Sequence, residues 1–230
     1  MIDLVSDDSK VVEPAKRFTV PPRNLSKVDP RKILVSIPTH DGRIWAGCAG
    51  GISQCVAAQR FGNFYFHAGG SCINHVRNQM ASIFLKSQSE ILICIDSDIE
   101  FTVQDFDFLM SGPEMIGTAL YLKKVERYLP VTYGMGFVRI DRQVFEILDQ
   151  LVDDTGRPMV AEYYENGHIE KDYFRTGASS DARWMAEDFG FWSLVQLAGI
   201  TPQIEKRTRL KHWGMKSFNY VGDVEQGSAQ

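Results

Sequence analysis

The sequence is short of several things, and each shortage narrows what the chain can be. No stretch of its 230 residues approaches the roughly 18 consecutive apolar positions that a membrane-spanning helix needs, and the N-terminus has no apolar signal core. Neither a membrane anchor nor export is expected, and the chain reads as cytoplasmic. Cysteine is sparse: Cys48, Cys55, Cys72 and Cys94 form no CxxC pair. Cys94 lies inside an apolar run, and Cys48 and Cys55 share one helical face, so buried free thiols in a reducing compartment are expected. Positive charge is not in excess. The net charge is −4, which gives no global basic footprint for nucleic acid and leaves only a local patch as a route to it. Internal repeats and low-complexity tracts are also lacking. What remains, 44% apolar and 23% charged residues, is ordinary for a globular chain large enough to bury a sizeable core.

The stretch that organises the rest runs from Glu90 to Phe101, where the apolar run Ile91-Leu92-Ile93-Cys94-Ile95 ends abruptly in Asp96-Ser97-Asp98. A continuous apolar run of this length predicts a strand buried on both faces, in the middle of an α/β sheet. Aspartate is a poor strand former, so the pair belongs where the strand stops and opens to solvent. The carboxyl ends of strands are where open α/β sheets bind ligands. Two hard oxygen ligands there suit Mg²⁺ or Mn²⁺, and such an ion suits a diphosphate. A strand end capped by aspartate in a turn is the plainer alternative.

Residues 1–30 are polar, with Pro14, Pro21, Pro22 and Pro30, and are expected to form an arm. The domain is expected over 31–222, with a tail over 223–230. A first strand, Lys32 to Pro38, is halted by proline and followed by a Thr39-His40-Asp41-Gly42 loop. Cys48, Ile52, Cys55 and Val56 then make an amphipathic helix. Phe61 to His67 is a second strand, and Ile73, Val76, Met80, Ile83 and Phe84 are the stripe of a second helix. This β-α-β-α-β order implies a parallel sheet with right-handed crossovers. Further strands are expected over Met115–Tyr121 and Val131–Ile140, the latter interrupted by Gly134-Met135-Gly136. A helix follows from an Asp141 N-cap through Val144, Ile147, Leu148 and Leu151. Asp153 to Asp181 shows no period and reads as a long functional loop. Met185, Phe189, Trp192 and Val195 mark a helix closed by Gly199, and a short strand at Gln203–Glu205 leads into the basic run Lys206 to Lys211.

The order of a Pro38-Thr39 strand end, a GGS turn with Arg77-Asn78 on the next helix, the IDSDI strand end, Gly134-Met135-Gly136-Phe137, the Glu187-Asp188 helix and a late His212-Trp213-Gly214 resembles a GT-A-fold glycosyltransferase of the family 2-like, DxD-containing kind. The resemblance covers roughly residues 32–222. It implies a Rossmann-like GT-A fold, with a mixed, mostly parallel central sheet flanked by helices. It also implies that Asp98 ligates Mn²⁺ or Mg²⁺ directly, that Asp96 reaches the ribose or the metal, and that His212 is a further metal ligand. The ion would bridge the diphosphate of a nucleotide-sugar, UDP being the usual base. Pro38, Thr39, Asp41, Arg77, Asn78 and Ser97 then line the nucleotide site, with Lys216 beside the diphosphate. Asp188 is the general base and Glu187 a contact to acceptor or donor sugar. Acidic residues in a first helical turn are also ordinary dipole partners. A glycosyltransferase without an anchor is expected to be bacterial or viral.

A nucleotidyltransferase of related fold is the nearest alternative, but its glycine-rich loop after the first strand is replaced here by Pro38-Thr39-His40-Asp41-Gly42-Arg43. A non-catalytic nucleotide- or sugar-binding module is a third reading. Asp96-Ser97-Asp98-Ile99 lacks the Gly-Thr of a dehalogenase-type phosphatase. The acceptor is left open among a glycan, a lipid-linked sugar, a protein and a hydroxylated base in phage DNA. The last of these rests on the basic run.

Overall fold

The computed structural model of the chain describes residues 28–70, 72–122, 130–131, 134–165, 167–178, 184–214 and 218–219. Most of the expected N-terminal arm and all of the expected tail lie outside the described residues. The apolar runs form strands because both of their faces are taken up. Strand β1 (Ile33–Thr39) lies between β2 (Asn63–Ala68) and β3 (Ile91–Ile95), parallel to both, with α1 (Ala46–Ala57) and α2 (Ile73–Lys86) as the crossovers. In β3, Ile91, Ile93 and Ile95 enter one core while Leu92 and Cys94 enter the other. That alternation is the strand buried on both faces.

After β3 come β4 (Ile99–Glu100), α3 (Val103–Met110), β5 (Ile116–Ala119), β6 (Tyr121–Leu122), β7 (Pro130–Val131), β8 (Phe137–Asp141) and α4 (Arg142–Leu148). The hairpin β9 (Glu162–Glu165) and β10 (His168–Lys171) follows. Then come β11 (Gly177–Ala178), β12 (Trp184–Met185), α5 (Glu187–Leu197), β13 (Gln203–Glu205), β14 (Lys211–His212) and β15 (Phe218–Asn219). The central sheet runs β13-β5-β8-β3-β1-β2. Only β8 is antiparallel to its neighbours. Helices α2, α4 and α5 cover one face, and α1 and α3 the other. This is a Rossmann-like, mostly parallel sheet flanked by helices, consistent with a GT-A fold. No helix of the described residues is long and apolar enough to cross a membrane.

Several local expectations are corrected. Pro38 does not halt β1; it pairs with His67, and the strand continues to Thr39. Pairing with β3 has already ended at Ser36, so the missing proline N–H leaves no gap in that ladder. The strand expected over 131–140 is two strands with the glycine segment between them. The stretch from Asp153 to Asp181, expected as a loop, contains the hairpin β9–β10, whose Glu-Tyr-Tyr-Glu and His-Ile-Glu-Lys strands carry no apolar period. On α5 the buried face is Gly190, Phe191, Leu194 and Val195, while Phe189 is 62% exposed and Met185 sits in β12. A Cβ on residue 190 would lie 2.1 Å from the Arg175 carbonyl oxygen, so glycine lets this face of the helix pack against the 175 segment. Val56 is exposed rather than part of the α1 stripe. Cys48, Cys55 and Cys94 are buried and free as expected; Cys72 is exposed.

Candidate active site

At the end of β3 the chain turns at once. Ile99 N–H donates to the Asp96 carbonyl at 3.0 Å, which places Ser97 and Asp98 at the corners of a tight turn. The turn is pinned by backbone from three sides. Asp96 N–H donates to Gly136 O (2.9 Å), Trp45 N–H to Ser97 O (2.9 Å) and Trp213 N–H to Asp98 O (2.8 Å). The turn leads directly into β4, which pairs with β14 so that His212 lies opposite Ile99. His212 Nε2 thereby comes 3.6 Å from Asp98 Oδ1.

Arg77 is the buried cation of the site. From α2 its Nη2 donates to Asp96 Oδ1 at 3.1 Å and its Nη1 to Met135 O at 3.2 Å, while Nε lies 3.5 Å from Glu187 Oε1. Burial opposes its charge, but the carboxylates of Asp96 and Glu187 outweigh that and hold its pKa above the ordinary value. The bare backbone of Gly136 closes the far side. A Cβ there would stand 2.9 Å from Asp96 Oδ2 and 2.7 Å from the Tyr121 hydroxyl. Gly136 N–H donates to that hydroxyl at 3.0 Å. Burial first, then the charge of Asp96, pushes the Tyr121 phenol well above its usual range. The Tyr121 and His212 rings meet edge to face at 5.2 Å.

Pro38, Thr39, Arg77, Asp96, Ser97, Asp98 and Glu187 line one cleft of about 340 Å³ at the carboxyl ends of β1 and β3, together with His40 and Gly70. A second cavity of about 510 Å³, walled by His67, His75 and Gln79, opens beside it and also touches Gly70. The remaining predicted residues lie elsewhere. Asn78 is buried, donating to Asp172 Oδ1 at 2.7 Å and accepting from Phe174 N–H at 2.9 Å, so it staples the 172–174 segment to α2. Asp41 is exposed and accepts from Arg43 N–H at 3.1 Å. Asp188 follows Glu187 in the first turn of α5 but does not line the cleft; its charge adds to the upward push on Tyr121. Lys216 lies outside the described residues.

Among the described residues no group of three or more His, Cys, Asp and Glu is placed to hold a metal ion. Asp98 and His212 are nonetheless a usable donor pair. Facing atoms 3.6 Å apart can both ligate an ion at about 2.1 Å from each. Mg²⁺ and similar ions commonly take one or two protein carboxylates and leave the other positions to water and substrate phosphate. The donors present therefore fit a Mn²⁺ or Mg²⁺ that takes its remaining ligands from elsewhere.

No protein-family profile matches the sequence, and no curated protein matches it. Solved structures do. The crystal structure of A197 from STIV aligns with a TM-score of 0.51 at 14% identity, over 86% of this chain and 98% of that one. A crystal structure of a glycosyltransferase involved in the glycosylation of the major capsid of PBCV-1 aligns with a TM-score of 0.34 at 12% identity, over 50% of this chain and 62% of that one. The likeness to A197 shows a shared fold. That fold is the Rossmann-like, mostly parallel sheet flanked by helices described above.

Sequence reasoning passed over several residues that build the site. Trp45 and Trp213 stack with ring centroids 5.6 Å apart beside the Asp96–Asp98 turn, and each contributes one of its backbone pins. In the sequence Tyr121 marks only a strand end, and Glu100 only part of the strand-end pattern. The available signal was the place of Glu100 two positions after Asp98 and of Trp213 next to His212; nothing local marks Tyr121 or Trp45. The basic run also differs from the sequence picture. Arg207 is engaged by Glu205 at 2.6 Å and lies over the Phe108 ring at 4.5 Å. Lys211 pairs with Glu100 at 2.5 Å, and Thr208 and Leu210 are buried.

Proposed function

We propose that this chain is a metal-dependent glycosyltransferase that moves a sugar from a nucleotide-sugar, a UDP-sugar being the first candidate, to an acceptor hydroxyl. The observation that carries the reading is the convergence of Asp96, Asp98, Arg77 and Glu187 on one cleft at the strand ends, with His212 brought against Asp98 from the far end of the chain. Nothing in a strand-ending turn alone calls for that gathering.

In this reading Pro38 and Thr39 border the nucleoside, and Arg77 holds one oxygen of Asp96 so that the other is free for ribose or water. Asp98 and His212 would hold Mn²⁺ or Mg²⁺, which when bound neutralises the departing diphosphate as a Lewis acid. Glu187 is tied by Arg77 on the cleft wall, a place suited to a donor-sugar hydroxyl. Asp188, beside it in the same turn but outside the cleft lining, would take the proton of an acceptor hydroxyl that approaches along the start of α5. The acceptor oxygen attacks the anomeric carbon as the bond to the diphosphate breaks, which inverts the configuration; a retaining course would not need Asp188. With Arg207 and Lys211 engaged by Glu205 and Glu100, the basic run offers less charge to a phosphate backbone than its sequence suggests. That weakens the case for a hydroxylated base in DNA as the acceptor and leaves a glycan, a lipid-linked sugar and a protein.

The test is calorimetric titration of UDP, GDP, CDP and ADP with Mn²⁺ and again with EDTA. Tight, Mn²⁺-dependent binding of one nucleotide supports the donor class, and no binding by folded protein points to a non-catalytic module. Asp98→Asn is expected to abolish the metal-dependent binding. Asp188→Asn is expected to bind nucleotide normally and lose transfer; wild-type turnover in that variant would remove it as the base.

A further inference from the structure

Strand β14 carries His212 to the Asp98 turn between β15 and β4, yet each of its two ladders is only two residue pairs long, the β4 one joining Lys211 with Glu100 and His212 with Ile99. So short a ladder does not fix a side chain to the few tenths of an ångström that a metal ligand requires. The residues on either side of His212 supply the rest. Alternate side chains of a strand point to the same face, and Lys211 and Trp213 both reach the Glu100 carboxylate. Lys211 Nζ pairs with Oε1 at 2.5 Å, and Trp213 Nε1–H donates to Oε2 at 2.8 Å. His212 is left facing the other way, toward Asp98. Helix α1 admits the carboxylate only because residue 47 is glycine, since a Cβ there would lie 2.4 Å from Glu100 Oε2. Trp45, stacked on Trp213, ties the same group to Ser97.

We propose that Glu100 is a positioning residue for His212: by gripping Lys211 and Trp213 together, it fixes β14 on the aspartate turn and sets the spacing between His212 and Asp98. The inference rests on the proposed metal site for its functional consequence, but not for its geometry. Partners that orient a ligand typically matter by 10- to 100-fold in metal affinity.

Two readouts test it, Mn²⁺ affinity by electron paramagnetic resonance and the His212 ring resonances by NMR. Glu100→Ala is expected to weaken Mn²⁺ binding about 10- to 100-fold and to shift the His212 resonances, with the melting curve still cooperative. Glu100→Gln keeps an acceptor for the Trp213 indole but loses the charge facing Lys211, so it should fall between Ala and wild type. It also serves if the alanine variant folds poorly. The double variant Glu100→Ala/His212→Ala should bind Mn²⁺ no more weakly than His212→Ala alone, because both changes remove the same ligand. Wild-type affinity in Glu100→Ala, or additive losses in the double variant, would overturn the proposal. If wild-type protein binds no Mn²⁺, the metal reading fails separately, and the resonances decide for Glu100: unchanged His212 signals in Glu100→Ala refute its role.

Discussion

Replacing Arg77 with alanine tests the site's internal logic without any ligand. The side chain is 5% exposed and joins three segments: the β3 end through Asp96, the loop before β8 through Met135 O, and the start of α5 through Glu187. Removing one partner of a buried ion pair costs about 3–5 kcal/mol, because the charge left behind has neither water nor a counter-ion. Asp96 is 25% exposed and Glu187 15%, so water relieves part of that cost and about 3 kcal/mol is expected. For a domain of this size each kcal/mol moves the melting temperature by about 2–4 °C. The midpoint should therefore fall by about 6–12 °C, and a domain with the usual 5–15 kcal/mol of stability stays folded. Urea unfolding at pH 7 gives the free energy directly. Adding Asp96→Asn to Arg77→Ala should restore part of the loss, since the stranded carboxylate is then neutral. A loss below about 1 kcal/mol, the range of a solvated surface pair, or a double variant that loses the sum of the two single changes, would refute the view of Arg77 as a shared buried counter-ion.

Gly136→Ala places a methyl against Asp96 and the Tyr121 hydroxyl, so nucleotide affinity by calorimetry should fall at least about tenfold, while overpacking costs about 1–3 kcal/mol in urea unfolding. Burial opposes ionisation of Glu205, but the hydrogen bonds from Arg207 prevail and hold its carboxyl below the usual range. Its contribution is present above the unfolded pKa of about 4.3 and is lost as pH falls through the lower folded value. Because Arg207 is half exposed that contribution is about 1 kcal/mol or less. Glu205→Gln should therefore be the less stable protein at pH 7, with the gap to wild type in urea midpoints closing toward pH 3; a constant gap would deny the pairing. Burial pushes the thiols of Cys48, Cys55 and Cys94 up to about 12, whereas Cys72 is exposed. Alkylation of native protein followed by peptide mass mapping should mark Cys72 fast and the others only on unfolding.

The sheet was legible because burial on both faces demands apolar runs, and Ile91–Ile95 and Ile33–Val35 are such runs. Where one face is wet the signal weakened. The hairpin β9–β10 mixes Tyr, Glu, His and Ile, with Tyr164 and Ile169 largely exposed, so no apolar period marked it. The rotation of α5 escaped as well. Phe189, Trp192 and Val195 fall at helical spacing, but the close approach of Gly190 to Arg175 O, a tertiary constraint, decides which side turns inward.

The site divides along the same physical line. Asp96 and Asp98 stood out because carboxylates directly after a buried strand conflict with strand propensity. Arg77 was legible only as half of a pair with Asn78, and nothing local separates the two: consecutive helical positions about 100° apart send one toward Asp96 and the other toward Asp172 and Phe174. The spacing of His212 from Asp98 is further still from local reading, since it depends on a two-pair ladder closed by Glu100 across 111 positions of chain. Local sequence places the half of the donor pair that interrupts a strand. In the proposed site the other half depends on Glu100, which grips the residues on either side of His212 and lines no part of the cleft, so its loss should disturb the geometry without removing a donor.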